Sequence, residues 1–524
     1  MIRIGEIKLK LTQDESILKQ KIAKKLHIHE HDILEYSIYK RALDARKKED
    51  IHYVYTVDVK LKNEKKVLEH TRAKNVTIAP DMTYYFPCGK SLLKTRPVII
   101  GFGPAGMFSG LLLAEMGLCP IILEGGEDID KRTQTVQKFW QGGELNTESN
   151  VQFGEGGAGT FSDGKLTTRS KDIRSRKVLQ EFVEAGAPKE ILYDNKPHIG
   201  TDKLKTVVKN IRKKILSLGG EIHFESKVTD LKIAENNIKA VIVNDGERIN
   251  TETVILATGH SARDIFELLH KKGIAMEQKP FAMGVRIEHK QNSINIVQYG
   301  ENAVKLPPAD YKLTYTTKKG RGVYTFCMCP GGYVVNASSE KGRIAINGMS
   351  EYKRDGENAN SALLVQVFPE DLKSESVLAG IALQRELEQK AYRVGNGAVP
   401  IQLVGDFLNA TNTNTWGDIT STCLPRTAFC DMNDILPHFM TEALREALTE
   451  FGKKLKGFVN PYAILTAIES RSSSPVRIVR NQQKESITVS GLYPTGEGAG
   501  YAGGIISAAI DGIIVAEQVF QRGR

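Results

Sequence analysis

The stretch from Arg96 to Glu124, RPVIIGFGPAGMFSGLLLAEMGLCPIILE, limits what this chain can fold into more than any other. Val98-Ile99-Ile100 has the length and β-branched content of a strand buried in a parallel sheet. Gly101, Gly103 and Gly106 follow at GxGxxG spacing, with Pro104 and Ala105 between them. The apolar spacing from Met107 to Met116 predicts a helix, Gly117 stops it, and Pro120 to Leu123 reads as a second strand with Glu124 at its end. Strand, glycine turn, helix, strand and acid stand in the order a dinucleotide site requires. Gly101 permits the tight turn, Gly103 lets backbone N–H groups approach a pyrophosphate, and Gly106 lets helix and sheet pack closely. The helix N-terminus offers unpaired N–H donors and partial positive charge. Glu124 accepts from ribose hydroxyls in this reading.

At 524 residues the chain has length for two to four domains. The N-terminus lacks the apolar core of a signal peptide, and no run reaches membrane-spanning length. The six cysteines are sparse, which fits a reducing, cytoplasmic setting. Formal net charge is +10, and most of the excess lies before Pro97. That asymmetry suits either a solvated lysine-rich face or a nucleic-acid partner.

Residues 1–90 read as a small basic α+β domain with the order β-α-β-β-α-β of a ferredoxin-like sandwich. His27, His29 and His31 alternate there, but their charged, junctional setting suits solvated rings, and no metal is expected. Met82 to Thr95 reads as a linker. Residues 91–278 form the first part of a Rossmann-like domain, 279–476 an inserted substrate-side α+β domain with few long helices before Asp431, and 477–524 the returning part.

Beyond Glu124, Asp128 to Arg132 opens a helix, with Arg132 a candidate cofactor contact. FGEGGAGTFSDGKL follows. Gly154, Gly156 and Gly159 repeat GxGxxG by spelling, without a buried strand before them. The segment suits a glycine loop laid against a flat ligand, with Ser162, Asp163 and Lys165 as polar contacts and Gly157 and Gly164 as cofactor-binding positions. Val254 to Gly259 is a buried strand running into another glycine turn, which faces the same crevice as Gly101. Gly498, Gly500 and Gly503 spell a third GxGxxG, with a helix but no second strand or acid after it. One complete nucleotide unit implies no resident nicotinamide domain, so any NAD(P)H visits transiently.

These stretches together, with FCMCPGG, ESRSSSPVRI and GEGAGYAGG, resemble the glutathione-reductase-like FAD flavoproteins. More closely, the chain is similar to a bacterial family described as FAD-dependent proteins or NAD(FAD)-utilising dehydrogenases. The resemblance covers essentially the whole chain and implies non-covalent FAD. It implies that Gly101, Gly103 and Gly106 hold the pyrophosphate, Glu124 the adenosine ribose, and the Val228 backbone the adenine. Thr258 and Gly259 stand beside the phosphates, Glu497 against the ribityl chain, and Gly503-Gly504-Ile505 at the flavin ring.

No catalytic residue follows from the resemblance. Cys327 and Cys329, spaced CxC, are either a redox dithiol or ordinary flavin-lining cysteines. Their spacing in a strand puts both side chains on one face, where so small a ring strains a disulfide. Arg471 and Arg477 are candidates for a substrate anion, or else pair with Glu469 or touch the cofactor. His260 is a candidate proton donor or a turn cap. The expectation is an α/β, FAD-dependent oxidoreductase of a small-molecule substrate, with no membrane partner. Two alternatives stay open. One is a flavin-dependent tRNA-modifying enzyme whose N-terminal domain contacts RNA, and the other is a non-catalytic flavin sensor.

Overall fold

The computed structural model describes residues 1–71, 73–87, 89, 93–168 and 170–522. Along the first strand, Ile2–Lys10, Ile2, Ile4, Ile7 and Leu9 are buried. Their parity changes from even to odd across a β-bulge, where Glu6 takes φ 55°. This strand pairs with Val76–Ile78 on one side and His52–Leu61 on the other, and His52–Leu61 pairs with Ile33–Asp44, all antiparallel. Helices Leu18–Leu26 and Glu64–His70 supply the two crossovers, so the element order is β-α-β-β-α-β.

The N-terminal segment is docked on the rest of the chain. The Arg41 guanidinium donates to both carboxylate oxygens of Asp194, at 2.7 and 3.1 Å. Ile51 joins a core cluster otherwise built from residues beyond 280. The segment read as a linker, 82–95, falls partly on residues 88 and 90–92, which lie outside the described residues. Within it, the Tyr84 hydroxyl donates to Glu517 at 2.6 Å, which ties this segment to the final helix.

Val98–Ile100 lies at the centre of a five-stranded parallel sheet. Ile121–Leu123 and then Glu221–His223 extend it on one side, Val254–Leu256 and then Leu492–Pro494 on the other. The short apolar runs are buried because both faces are covered. Ile99, Ile122, Ile255 and Tyr493 pack with helices Pro104–Glu115, Arg174–Glu184, Thr201–Ser217 and Ile505–Arg522. Val98, Ile100, Leu123, Val254, Leu256 and Leu492 pack against the antiparallel strands Val228–Ala234 and Asn237–Val243 and against helix Arg263–Lys271. The hairpin between those strands and Glu247–Asn250 turns through Asn244 and Asp245, both with positive φ.

Between Val254–Leu256 and Leu492–Pro494 lies a seven-stranded sheet. Its order is Thr314–Thr316, Gly322–Cys329, Asn358–Val367, Phe281–Lys290, Ile464–Glu469, Val399–Leu403, Thr427–Phe429. Every pair is antiparallel except the last. Long helices are few before Asp431, and the longest between 281 and 431 is Ala379–Val394, of 16 residues. It buries Ile381, Gln384, Leu387, Glu388 and Ala391, and its polar buried members conceal the amphipathic pattern.

Candidate functional site

The glycine turn after Val98–Ile100 is shaped by close approaches. Gly101 has φ +98°, and a Cβ there would lie 2.6 Å from the Ala257 carbonyl oxygen. A Cβ at Gly106 would lie 1.9 Å from the Gly101 carbonyl oxygen, so this glycine serves packing and does not face the cavity. Gly103 differs from both. A Cβ on it would meet only the Gly157 Cα, at 3.8 Å, so the space above it is open. Gly103 precedes helix Pro104–Glu115, whose N-terminus has proline first and no side-chain cap. Its free N–H groups and dipole are therefore available to an anion.

That space belongs to a cavity of about 1180 Å³ bounded by the sheet's C-terminal edge, the glycine loop and the seven-stranded sheet. Gly101, Gly103, Pro104, Ala105 and Glu124 line it, as do Thr258 and Gly259 from the neighbouring turn. Val228 closes the end near Glu124, while Glu497, Gly503, Gly504 and Ile505 form another wall. A Cβ at Gly503 or Gly504 would meet nothing within 4 Å, so the start of helix Ile505–Arg522 also faces open space. Gly512 in that helix lies against the Ala105 carbonyl oxygen, 2.2 Å from a built Cβ, which brings the two helices together.

Glu124 does more than wait for a ribose. One carboxylate oxygen accepts from the Phe102 N–H at 2.9 Å, and the other from Gly126 and Gly154 at 3.0 and 3.1 Å. It thus ties the first glycine turn to the glycine loop, with lone-pair capacity left for a ligand hydroxyl. The Gly156 N–H donates to the Phe102 carbonyl at 2.9 Å, and Gly157 crosses directly over Gly103. Gly157, Ser162 and Lys165 of the loop line the cavity. Gly164 and Asp163 do not, correcting their reading as contacts: Gly164, with φ +64° and a built Cβ 2.7 Å from Leu204, is a packed turn position, and Asp163 is buried and accepts from the Arg354 Nε–H at 2.9 Å.

Arg132 is also corrected. It is fully buried and lies behind the cavity wall. Its guanidinium donates to the carbonyls of Asn150, Val151, Gly154 and Glu155, at 2.9, 3.1, 3.2 and 2.6 Å. Burial pulls it down to about 10, still charged at neutral pH. It holds the glycine loop in shape from behind and does not reach a ligand.

On the opposite wall, Cys327 faces the cavity and Cys329 is fully buried behind it. A bulge between Phe326 and Cys329, with φ 45° at Cys327, interrupts the strand, so the simple same-face alternation does not apply. Both thiols are free. The Cys329 S–H donates to the Cys327 carbonyl at 3.3 Å. Hydrogen bonding between the two thiols lowers Cys327 and raises Cys329, with Lys165 and Arg286 favouring thiolate at Cys327. Arg286, fully buried, donates to Asn360 at 2.9 Å, Glu469 at 2.9 Å and the Cys327 carbonyl at 2.9 Å.

His260 Nε2 lies 3.9 Å from Glu497, and its Nδ1 lies 3.0 Å from the Ser261 hydroxyl. Burial, and then Arg471 and Arg263, push this ring down to about 4, so it is neutral at physiological pH. Burial, reinforced by the charge at Cys327, pushes Glu497 up to about 7 against the pull of Lys279. Neutral imidazole, a carboxyl poised near neutrality and a lowered thiol therefore share one cavity.

Neither cationic candidate pairs with Glu469, whose partner is Arg286. Arg471 does reach the cavity, and its guanidinium grips buried Glu388 at 3.0 Å through two nitrogens. Arg477 lies off the cavity wall and donates to Glu277 at 2.8 Å. Sequence reasoning missed Arg263, Glu340 and Glu388, a network assembled from positions more than 70 residues apart. Arg263 stands just beyond the Thr258-Gly259 turn, and that adjacency was the one available signal.

The geometry fits FAD on this chain's own residues, with open space over Gly103 and Gly503-Gly504, the uncapped start of helix Pro104–Glu115, and a carboxylate at the second strand's end. Residues 280–472 match the family described as FAD-dependent protein, C-terminal domain-like, and residues 1–60 match a domain of unknown function (DUF8436). Among solved structures, the flavin-dependent brominase Bmp2 is similar at 12% identity and a TM-score of 0.38, over 82% of this chain and 79% of that one. CtdE in complex with FAD is similar at 13% identity and a TM-score of 0.31, over 81% and 89%. An uncharacterized protein of Clostridium beijerinckii is 51% identical over 527 residues, 99% of each chain. The chain belongs to the family of that protein, carries the C-terminal domain of FAD-dependent proteins, and takes FAD as its cofactor.

Proposed function

We propose that this chain is an oxidoreductase of the glutathione-reductase-like type, acting on a small-molecule substrate through non-covalent FAD. The observation that carries the reading is the convergence of two helix N-termini, Pro104–Glu115 and Ile505–Arg522, on one cavity that Cys327, Glu497 and His260 also line. In this reading residues 1–90 form a separate domain, 91–278 and 477–524 the two parts of the FAD-binding domain, and 279–476 the substrate-side insert.

Gly101, Gly103, Ala105, Thr258 and Gly259 would hold the pyrophosphate, Glu124 the ribose, and the Val228 backbone the adenine. Glu497 would meet the ribityl chain, and Gly503, Gly504 and Ile505 the ring. FAD when bound supplies the hydride chemistry. The start of helix Ile505–Arg522 stabilises negative charge placed before it. Cys327, lowered by its partner thiol, takes a proton from a substrate group, and Glu497, near 7, holds or releases one. Buried groups whose ionisation is pushed in opposite directions are how one site carries both acid and base.

Gly103→Val puts a branched side chain into the space reserved for the pyrophosphate, its Cβ meeting no protein atom closer than the Gly157 Cα at 3.8 Å. The expected result is a folded protein that purifies without yellow colour. Unchanged flavin content in that variant would overturn the assignment.

A further inference from the structure

The cavity of about 1180 Å³ has a wall that the proposed reaction does not use. This wall is built by the turn Glu340 to Arg343, between strands Tyr333–Asn336 and Ile346–Met349, and by Arg385 of helix Ala379–Val394. Arg263 reaches the same wall from the FAD side.

These side chains converge on one carboxylate. Glu340 receives Arg263 at 2.6 Å and Arg385 at 2.7 Å, with the Arg343 Nε at 3.6 Å. Behind it, buried Glu388 takes Arg263 and Arg471. Arg385 also pairs with Glu267. Five cations, counting Lys341, thus meet three carboxylates, a surplus of two positive charges. The Nε–H groups of Arg263 and Arg343 are buried without a hydrogen-bond partner. Arg343 and Arg385 are each 28% exposed, and Lys341 is exposed, so a diffusing anion can reach the rim.

Cations in excess of carboxylates, together with the unpartnered Nε–H groups of Arg263 and Arg343, mark this wall as the place for a dianion. Guanidinium forks present paired N–H groups that match phosphate oxygens. We propose that the wall of Arg263, Lys341, Arg343 and Arg385 is a second ligand subsite that binds the diphosphate of a molecule lying beside FAD. The inference rests on the proposed function only in assigning the rest of the cavity to the flavin. Two sources share this chemistry, a visiting nicotinamide dinucleotide and a diphosphate-bearing substrate.

Calorimetric titration of the holoprotein with inorganic pyrophosphate tests the proposal, with NADP⁺ as competitor. Pyrophosphate should bind, more weakly as salt rises. Arg343→Ala and Lys341→Ala should each weaken binding by about tenfold, with flavin absorbance unchanged. Glu340→Gln should tighten it, because the competing carboxylate is gone. Competition by NADP⁺ supports the subsite with a dinucleotide as source, and pyrophosphate binding without competition supports it with a substrate as source. The proposal is overturned if pyrophosphate does not bind, if affinity is the same in all three variants, or if flavin is lost in step with pyrophosphate, which would give the wall to FAD's own phosphates. A wild-type chain that purifies without flavin would instead refute the cofactor reading, and pyrophosphate titration of that chain still tests the wall.

Discussion

Glu497 offers the most direct test of the cavity's electrostatics. Burial and the Cys327 charge raise its carboxyl to about 7 from an ordinary value of 4.5. A carboxyl raised on folding destabilises the folded chain as it ionises. Below the unfolded value it is protonated in both states and costs nothing; above the folded value it is ionised in both and the full cost is present. The gap of roughly 2.5 pH units, at about 1.36 kcal/mol each, sets a ceiling near 3 kcal/mol. A side chain 26% exposed to the cavity is partly screened, so the true figure lies below that ceiling. Glu497→Gln keeps the shape and removes the charge. The flavin-free variant should exceed wild type by about 2–3 kcal/mol at pH 8 and by under about 1 kcal/mol at pH 5, the difference widening as pH rises between them. Paired urea or thermal midpoints across that range measure it. A difference that stays flat, or narrows with rising pH, refutes the argument.

Two further outcomes follow from the packing around the cavity. Arg132→Met removes four charged donors from buried carbonyls and should cost about 3–5 kcal/mol, because the orphaned oxygens stay in the core; flavin affinity should fall with it, and equal thermal midpoint and flavin retention would contradict the supporting role. Deleting residues 1–79 spares Tyr84 and its bond to Glu517 and leaves every cavity-lining residue in place, so flavin content should persist while the midpoint drops; soluble but colourless protein would show that the N-terminal domain completes the site.

The parallel sheet was legible because its strands are buried on both faces and therefore carry unbroken apolar runs, Val98-Ile99-Ile100 and Val254-Ile255-Leu256. The glycines were legible for a related reason. Gly101 and Gly106 occupy positions where any side chain would strike a carbonyl, and that demand is local to the turn. Helix Ala379–Val394 was obscured because Gln384 and Glu388 stand on its buried face, serving Arg263 and Arg471 instead of an apolar core. Polar residues on an inward face look like an outward face when only spacing is read.

The same physics divides the legible part of the site from the rest. A backbone-built site is written in closely spaced glycines, so the turn from Gly101 to Gly106 could be read from spelling, whereas Gly503-Gly504 is placed only through the family resemblance. A charge-built site is written in pairs that only folding brings together. Arg132 lies 22 positions before Gly154 of the loop it supports, yet its four acceptors are carbonyls, which every residue possesses, so no sequence pattern could distinguish support from contact. Glu388 must lie within reach of both Arg263 and Arg471, separated from them by 125 and 83 positions. Once buried, that carboxylate is committed: removing either arginine leaves a charge whose desolvation is no longer offset. The cost of losing one partner makes the network rigid, and the two cations it leaves over are why an anionic ligand, and not a neutral one, is expected beside the flavin.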